Sequence, residues 1–96
     1  MIVNRRTFIT KRGRTDEVVT FLKKSMGLIP LPHPPRVYVS DIGPFDTIAV
    51  EAEGENLAEY ERLLAEWMAQ TTPEFWEEWF SLTENGGANE IWRLAE

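Results

Sequence analysis

The chain has 96 residues and a net charge of −6, and its 43% hydrophobic and 27% charged residues are typical of an ordinary globular protein. No apolar run approaches the roughly 20 residues of a bilayer-spanning helix, so we expect no membrane partner. Residues 25–96 hold fourteen acids against three bases, and this acidic excess disfavours nucleic acid as a partner. We therefore predict one domain over residues 1–96.

The amino-terminal stretch and the cysteine count bear on location and cofactors. Residues 1–14 alternate polar and apolar side chains, unlike a secretory signal, so we expect a cytoplasmic protein. The chain has no cysteine, which excludes disulfides, thiolate nucleophiles and sulfur-ligated metals. One histidine, His33, cannot form a recognisable zinc site alone, and it is expected to be exposed in a loop. We predict no metal and no cofactor.

A strand and a helix are predicted first. Thr15 is the expected N-cap of a helix whose apolar residues recur at intervals of three and four, and Gly27 is expected to end it. In the strand before it, each of two alternating residue sets contains apolar residues and an arginine, which indicates a central strand covered on both faces. The two sets are Ile2, Asn4, Arg6, Phe8, Thr10 and Val3, Arg5, Thr7, Ile9.

The middle of the chain predicts a hairpin. The stretch "LIPLPHPPR" holds four prolines and must be an extended connection. Two strands follow, over residues 37 to about 41 and residues 47–52, with a turn at Gly43 and Pro44.

The last part of the chain predicts two helices and a strand. Asn56 with Glu59 forms a capping box for the first helix, and Thr72 with Pro73 begins a short second one. Residues 90–95 form the last strand. Four aromatic side chains share one broad face of the short helix, which we interpret as core or subunit contact. They are Phe75, Trp76, Trp79 and Phe80.

The predicted order of elements is β-α-β-β-α-(α)-β. This order indicates an α+β, ferredoxin-like fold with a four-stranded antiparallel sheet and helices on one face. The other face of such a sheet is bare, and a second copy of the chain is the simplest cover. We therefore predict a homodimer.

Several of these segments together resemble a known family. "IVNRRTFITKRG", "TPEFWEEW" and "NEIWRL" are similar to segments of NIPSNAP-like proteins of the dimeric α+β barrel superfamily. The resemblance implies that two subunits form such a barrel. Asn4 stands where the family tends to have glutamate, Arg6 matches its arginine and Phe8 replaces its tyrosine. Val50 and Ala52 occupy positions where the family often has histidine and tryptophan, which reduces the polar groups expected inside.

The candidate ligand-binding residues are Asn4, Arg6, Phe8 and Trp92. An apolar cavity with one charge and one amide is the usual composition of a small-molecule site. No catalytic residue can be assigned.

A buried Arg6 would need a partner of opposite charge. The partner is either an acidic side chain, Glu51, Glu90 or one from a second subunit, or the carboxylate or enolate of a ligand.

Three functions remain open. The first is binding of a small, partly apolar or anionic molecule. The second, implied by the superfamily, is a cofactor-free monooxygenase-type enzyme acting on a small aromatic or polyketide-like substrate through Asn4, Arg6 and Trp92. The third is a non-catalytic dimerisation module. An interior filled by side chains would favour the third, and an open cavity lined by Arg6 would favour the other two.

Overall fold

The structure, a computed structural model, describes residues 1–27 and 31–95. Residues 28–30 of the predicted proline-rich connection lie outside this range. The described chain forms four strands and three helices in the predicted order. They are β1 (Ile2–Ile9), α1 (Thr15–Met26), β2 (Arg36–Val39), β3 (Thr47–Gly54), α2 (Leu57–Gln70), α3 (Pro73–Leu82) and β4 (Ala88–Arg93).

All four strands form one antiparallel sheet in the order β2-β3-β1-β4. The predicted central position of β1 is confirmed, since β1 pairs with β3 on one side and with β4 on the other. Its register with β3 runs from Ile2 opposite Gly54 to Ile9 opposite Thr47. The predicted α+β, ferredoxin-like fold is confirmed.

The helices cover only one face of the sheet. Burial alternates along β3, where Ile48, Val50 and Ala52 are buried and the residues between them are half-buried. The buried side chains of all three helices pack against this even-numbered set. They are Val18, Leu22 and Met26 of α1, Tyr60 of α2, and Trp79 and Leu82 of α3. No helix within the described residues packs on the opposite face, which carries the odd-numbered residues of β1 and β3.

Two predicted helix caps are confirmed and one is wrong. The Asn56 side chain accepts a hydrogen bond from the Glu59 amide at 2.9 Å, and Thr72 accepts one from the Phe75 amide at 3.1 Å. Each satisfies an amide that has no partner within its helix.

Thr15, predicted as the N-cap of α1, is instead its first helical residue. Arg14 holds the cap position without a side-chain hydrogen bond to the helix. The Thr15 hydroxyl lies 3.1 Å from that of buried Thr10, so contact with the end of β1 takes the place of capping.

Strand bounds differ from the prediction at several ends: β2 begins at Arg36, β4 ends at Arg93, and three further ends have a clear cause in the structure. β2 stops at Val39, because the Ser40 amide donates to Thr47 O at 3.1 Å and closes the hairpin there. β3 continues to Gly54 because β1 pairs along its full length. β4 begins at Ala88, since Gly87, with φ of 95°, lets the backbone approach the Thr7 carbonyl where a Cβ would collide.

Candidate functional site

A cavity of about 130 Å³ lies between the sheet and the helices. Arg6 and Phe8 of β1 contribute to its floor, together with Val50 and Ala52 of β3. Side chains of all three helices form most of the remaining wall, and Leu31 and Pro35 before β2 complete it. The helical side chains include Leu22 and Met26 of α1, Tyr60, Leu64 and Trp67 of α2, and Phe75, Trp76 and Trp79 of α3. The lining is therefore apolar and aromatic, except for the guanidinium of Arg6, the hydroxyl of Tyr60 and the hydroxyl of Ser25.

Asn4 is the buried polar centre beside this cavity and is only 2% exposed. Its Nδ2 donates to Asn89 Oδ1 at 2.7 Å and to the Glu90 carbonyl at 2.8 Å. Its Oδ1 accepts from the Tyr60 hydroxyl at 2.6 Å and from Arg6 Nε at 3.0 Å. Both donor hydrogens and both acceptor sites of the amide are therefore used.

Arg6 brings a positive charge into the cavity without an acidic partner. Among the described residues, no carboxylate lies within ion-pairing distance of its guanidinium. The expectation that Glu51 or Glu90 neutralises Arg6 is wrong, because both lie in register with Arg5 on the opposite face. Glu51 pairs there with Arg5 at 2.6 Å. Among the side-chain hydrogen bonds of the described residues, Arg6 takes part only through Nε.

Tyr60 was not predicted as a site residue, yet its hydroxyl reaches the centre of the polar cluster. Burial raises the pKa of Tyr60, and the nearby charge of Arg6 opposes this shift in part. Gly54 makes the approach possible, because a Cβ there would lie 3.0 Å from the Cβ of Tyr60. The signal in the sequence was a tyrosine on the apolar stripe of α2, where its hydroxyl needs a buried partner.

The aromatic run of α3 forms much of the cavity wall. The ring of Trp79 meets Phe8 edge to face at 4.9 Å and lies nearly parallel to Phe21 at 5.8 Å. Trp76 is fixed by its indole Nε1, which donates to Thr71 Oγ1 at 3.0 Å. The predicted buried role holds for Trp79, while Phe80 is 65% exposed.

Three of the four predicted site residues lie together, and Trp92 does not join them. Asn4, Arg6 and Phe8 point toward the helices. Trp92 is in register with Val3, so its side chain lies on the opposite face, where it is 56% exposed. Polar and apolar residues alternate only weakly along β4, so the sequence could not show which face of the sheet Trp92 occupies.

Other kinds of site are not evident in the described part of the chain. No group of three or more His, Cys, Asp and Glu side chains there is placed to hold a metal ion. No helix there is long and apolar enough to span a membrane. His33 is exposed, as predicted. A wider groove of about 730 Å³ between α1 and α3 has an acidic rim but opens to solvent, and it lacks the buried polar cluster of the interior cavity.

Comparison with solved structures places this fold among known proteins. Protein Atu4242 from Agrobacterium tumefaciens, a NIPSNAP family protein of unknown function, is 23% identical with a TM-score of 0.82, over 99% of this chain and 94% of that one. An uncharacterised NIPSNAP domain protein from Burkholderia xenovorans is 15% identical with a TM-score of 0.80, and the match covers 99% of this chain and 95% of that one. An antibiotic biosynthesis monooxygenase is 13% identical with a TM-score of 0.73, over 100% of both chains.

No protein-family model matches the sequence, and no curated protein matches it at a significant level. The structural similarity extends over almost the whole chain, and four of the matching structures are described as NIPSNAP or NIPSNAP-like. The resemblance predicted from the sequence is therefore confirmed at the level of the fold. The chain has the ferredoxin-like α+β fold of NIPSNAP family proteins.

Proposed function

We propose that the cavity binds a small organic acid whose anionic group pairs with Arg6. The observation that carries the proposal is a guanidinium that lines an apolar cavity and has no carboxylate partner within the described residues. Arg6 is half-buried, so folding removes part of the water around it, and a partner of opposite charge can replace that water. A ligand carboxylate can supply that charge and accept two hydrogen bonds from the planar guanidinium.

Asn4 prepares Arg6 for this role. The hydrogen bond from Arg6 Nε to Asn4 Oδ1 fixes one edge of the guanidinium, and Asn4 itself is held by β4. A side chain that is already oriented loses less conformational freedom when a ligand binds. The arginine therefore presents its remaining donors at a defined place in the cavity.

The size of the cavity limits the ligand to about one ring. An engineered apolar cavity of about 150 Å³ holds benzene, and the cavity here has a volume of about 130 Å³. This favours a small aromatic or branched short-chain acid over a polyketide-like compound with several rings. Benzoate has nine non-hydrogen atoms. A binding free energy of about −0.6 kcal/mol for each of them corresponds to a Kd of about 0.1 mM.

Titration of benzoate, followed by calorimetry and by ligand-observed NMR, tests the proposal. Arg6→Gln should weaken binding roughly ten- to hundredfold, the value of a hydrogen bond to a charged group of about 1.5–3 kcal/mol. Arg5→Gln is the matched control, because Arg5 is its neighbour on β1 but lies on the other face, paired with Glu51. Equal affinities in the two variants, or a folded wild-type protein that binds no small acid, would overturn the proposal.

A cofactor-free monooxygenase is the second candidate. Arg6, Tyr60 and Trp76 line one cavity, and the fold is shared with a protein described as an antibiotic biosynthesis monooxygenase. An anionic phenol held against Arg6 would be in the electron-rich form that can react with oxygen. Oxygen consumption by protein saturated with small phenols tests this candidate. Binding without oxygen uptake would leave a binding protein.

The uncovered sheet face is proposed to pair with a second copy of the chain. Glu90, Arg5, Glu51 and Arg36 lie in register across the four strands, so positive and negative side chains alternate in one row. Such a row is complementary to itself when the partner is turned around, as a twofold axis requires. Tyr38 and Trp92 on the same face are about half exposed in the single chain. The open cavity lined by Arg6 favours a dimer with a ligand over a module that only dimerises.

A further inference from the structure

The direction of the hydrogen bonds beside the cavity can be followed from one fixed point. The Glu90 main-chain carbonyl can only accept, so the group that meets it at 2.8 Å must be Nδ2 of Asn4. Oδ1 of Asn4 therefore faces Tyr60 and Arg6. Since a carbonyl oxygen can only accept, the Tyr60 hydroxyl must donate its single hydrogen to it, at 2.6 Å.

This order leaves two groups of opposite polarity for a ligand. The Tyr60 hydroxyl donates its single hydrogen to Asn4, so its oxygen can only accept a hydrogen bond from a ligand. The remaining nitrogens of Arg6 can only donate. Both side chains line the cavity and both reach one oxygen within 3.0 Å, so Tyr60 Oη and Arg6 Nε are no more than about 6 Å apart.

We infer that the cavity selects acids that also carry a hydrogen-bond donor, and hydroxy acids above all. The carboxylate accepts from Arg6 while the hydroxyl donates to Tyr60 Oη. This inference rests on the proposed function, because it assumes that the anionic group lies against Arg6. It adds the class of the ligand, a single-ring or short-chain hydroxy acid.

The expected selectivity has a physical basis. Tyr60 is only 3% exposed. When a bound ligand does not donate a hydrogen bond to Tyr60 Oη, water has little access to take its place. A site built to hydrogen-bond a ligand hydroxyl discriminates against the analogue that lacks it. Burial also raises the pKa of Tyr60, so the hydroxyl keeps its hydrogen for Asn4 at neutral pH.

The test uses benzoate and its hydroxy, amino and fluoro derivatives substituted at each ring position. Hydroxyl and amino groups donate hydrogen bonds, whereas fluorine is of similar size and cannot. At one ring position, the hydroxy and amino derivatives should bind wild-type protein about fivefold more tightly than benzoate, the value of one net hydrogen bond. The fluoro derivative at that position should show no such gain.

Two tyrosine variants locate the effect. In Tyr60→Phe, the affinity ratio of the preferred hydroxybenzoate to benzoate should fall to about one. Tyr38→Phe is the matched control, because Tyr38 lies on the uncovered face of the sheet, and the ratio should keep its wild-type value. If Tyr60→Phe does not fold, the wild-type protein still tests the inference, because its affinities for the hydroxy and amino derivatives can be compared with its affinity for the fluoro derivative.

The outcomes separate this inference from the function on which it rests. Benzoate binding with no gain from a donor at any position would overturn the hydroxy-acid inference alone. An equal gain from fluorine would also overturn it, since size rather than donation would then explain the affinity. Failure of every acid to bind would overturn both.

Discussion

The Tyr60 hydroxyl donates to Asn4 Oδ1 across 2.6 Å, which joins α2 to the central strand between residues 56 positions apart. The same oxygen accepts from Arg6, and the amide nitrogen of Asn4 reaches β4. Within the described residues, no buried side-chain nitrogen or oxygen lacks a hydrogen-bond partner. Stability and the proposed binding therefore depend on one buried cluster.

Asn4→Leu should be more destabilising than Tyr60→Phe. Leucine is similar to asparagine in size but removes four hydrogen bonds, and it leaves the buried Tyr60 hydroxyl without its acceptor. We expect a loss of about 2–4 kcal/mol in the free energy of unfolding. Tyr60→Phe removes one bond and leaves Asn4 Oδ1 with Arg6, so its cost should be about 1 kcal/mol. Urea unfolding measures both, and equal costs would show that the cluster is not centred on Asn4.

Stability should decrease above about pH 10 because of Tyr60. Burial raises the pKa of Tyr60 in the folded protein above the ordinary value near 10, and Arg6 offsets this shift only in part. The contribution is fully present below the unfolded pKa and is lost as the pH rises toward the folded pKa. Urea midpoints from pH 8 to 11 should fall more steeply for the wild type than for Tyr60→Phe. Parallel curves would contradict this prediction.

Trp79→Ala should cost about 3–5 kcal/mol, the usual effect of removing a large aromatic side chain from a packed site. Trp79 contacts both Phe8 and Phe21 and is buried. Phe80→Ala is the matched control on the same helix, and we expect a change below about 1 kcal/mol because Phe80 is largely exposed. Thermal melting compares them. Similar shifts in Tm would mean that a partner covers Phe80 or that Trp79 is not part of the core.

Trp76→Ala should have an intermediate cost. Its ring is half-buried and its indole hydrogen bond to Thr71 connects the start of α3 to the end of α2. We expect a loss of about 2–3 kcal/mol from reduced burial and the missing hydrogen bond. A melting temperature equal to that of the wild type would show that Trp76 is displaced from the cavity wall in solution.

Light scattering after gel filtration should give the mass of a homodimer at micromolar concentration. Ala49→Glu should shift the mass toward the monomer, because it adds a negative charge beside Glu51 on the uncovered face. Ala58→Glu, the same change on the exposed surface of α2, is the control and should leave the mass unchanged. A wild-type monomer, or a dimer unaffected by Ala49→Glu, would contradict pairing through this face.

The order of the elements and the starts of α2 and α3 followed from the sequence because their signals are local. Asn56 and Thr72 satisfy helix amides within three residues of themselves, so the chemistry that begins α2 and α3 is readable without the fold. Spacing by three and four likewise fixes the buried stripe of each helix. Thr15 departs from this pattern because its hydroxyl meets Thr10, a contact that exists only once β1 is in place.

The site required the tertiary structure because β1 is ambiguous by itself. Its two faces each carry apolar residues and one arginine, and alternation cannot tell which faces the helices. The decision comes from β3, whose register places Val50 opposite Arg6 and Glu51 opposite Arg5. That pairing gives Arg5 an acidic partner on the uncovered face, whereas Arg6 in the cavity has none among residues 1–27 and 31–95. Tyr60 reaches Arg6 only because α2 packs back onto β1, where its hydroxyl bonds to Asn4, 56 positions away, and no local pattern encodes that contact.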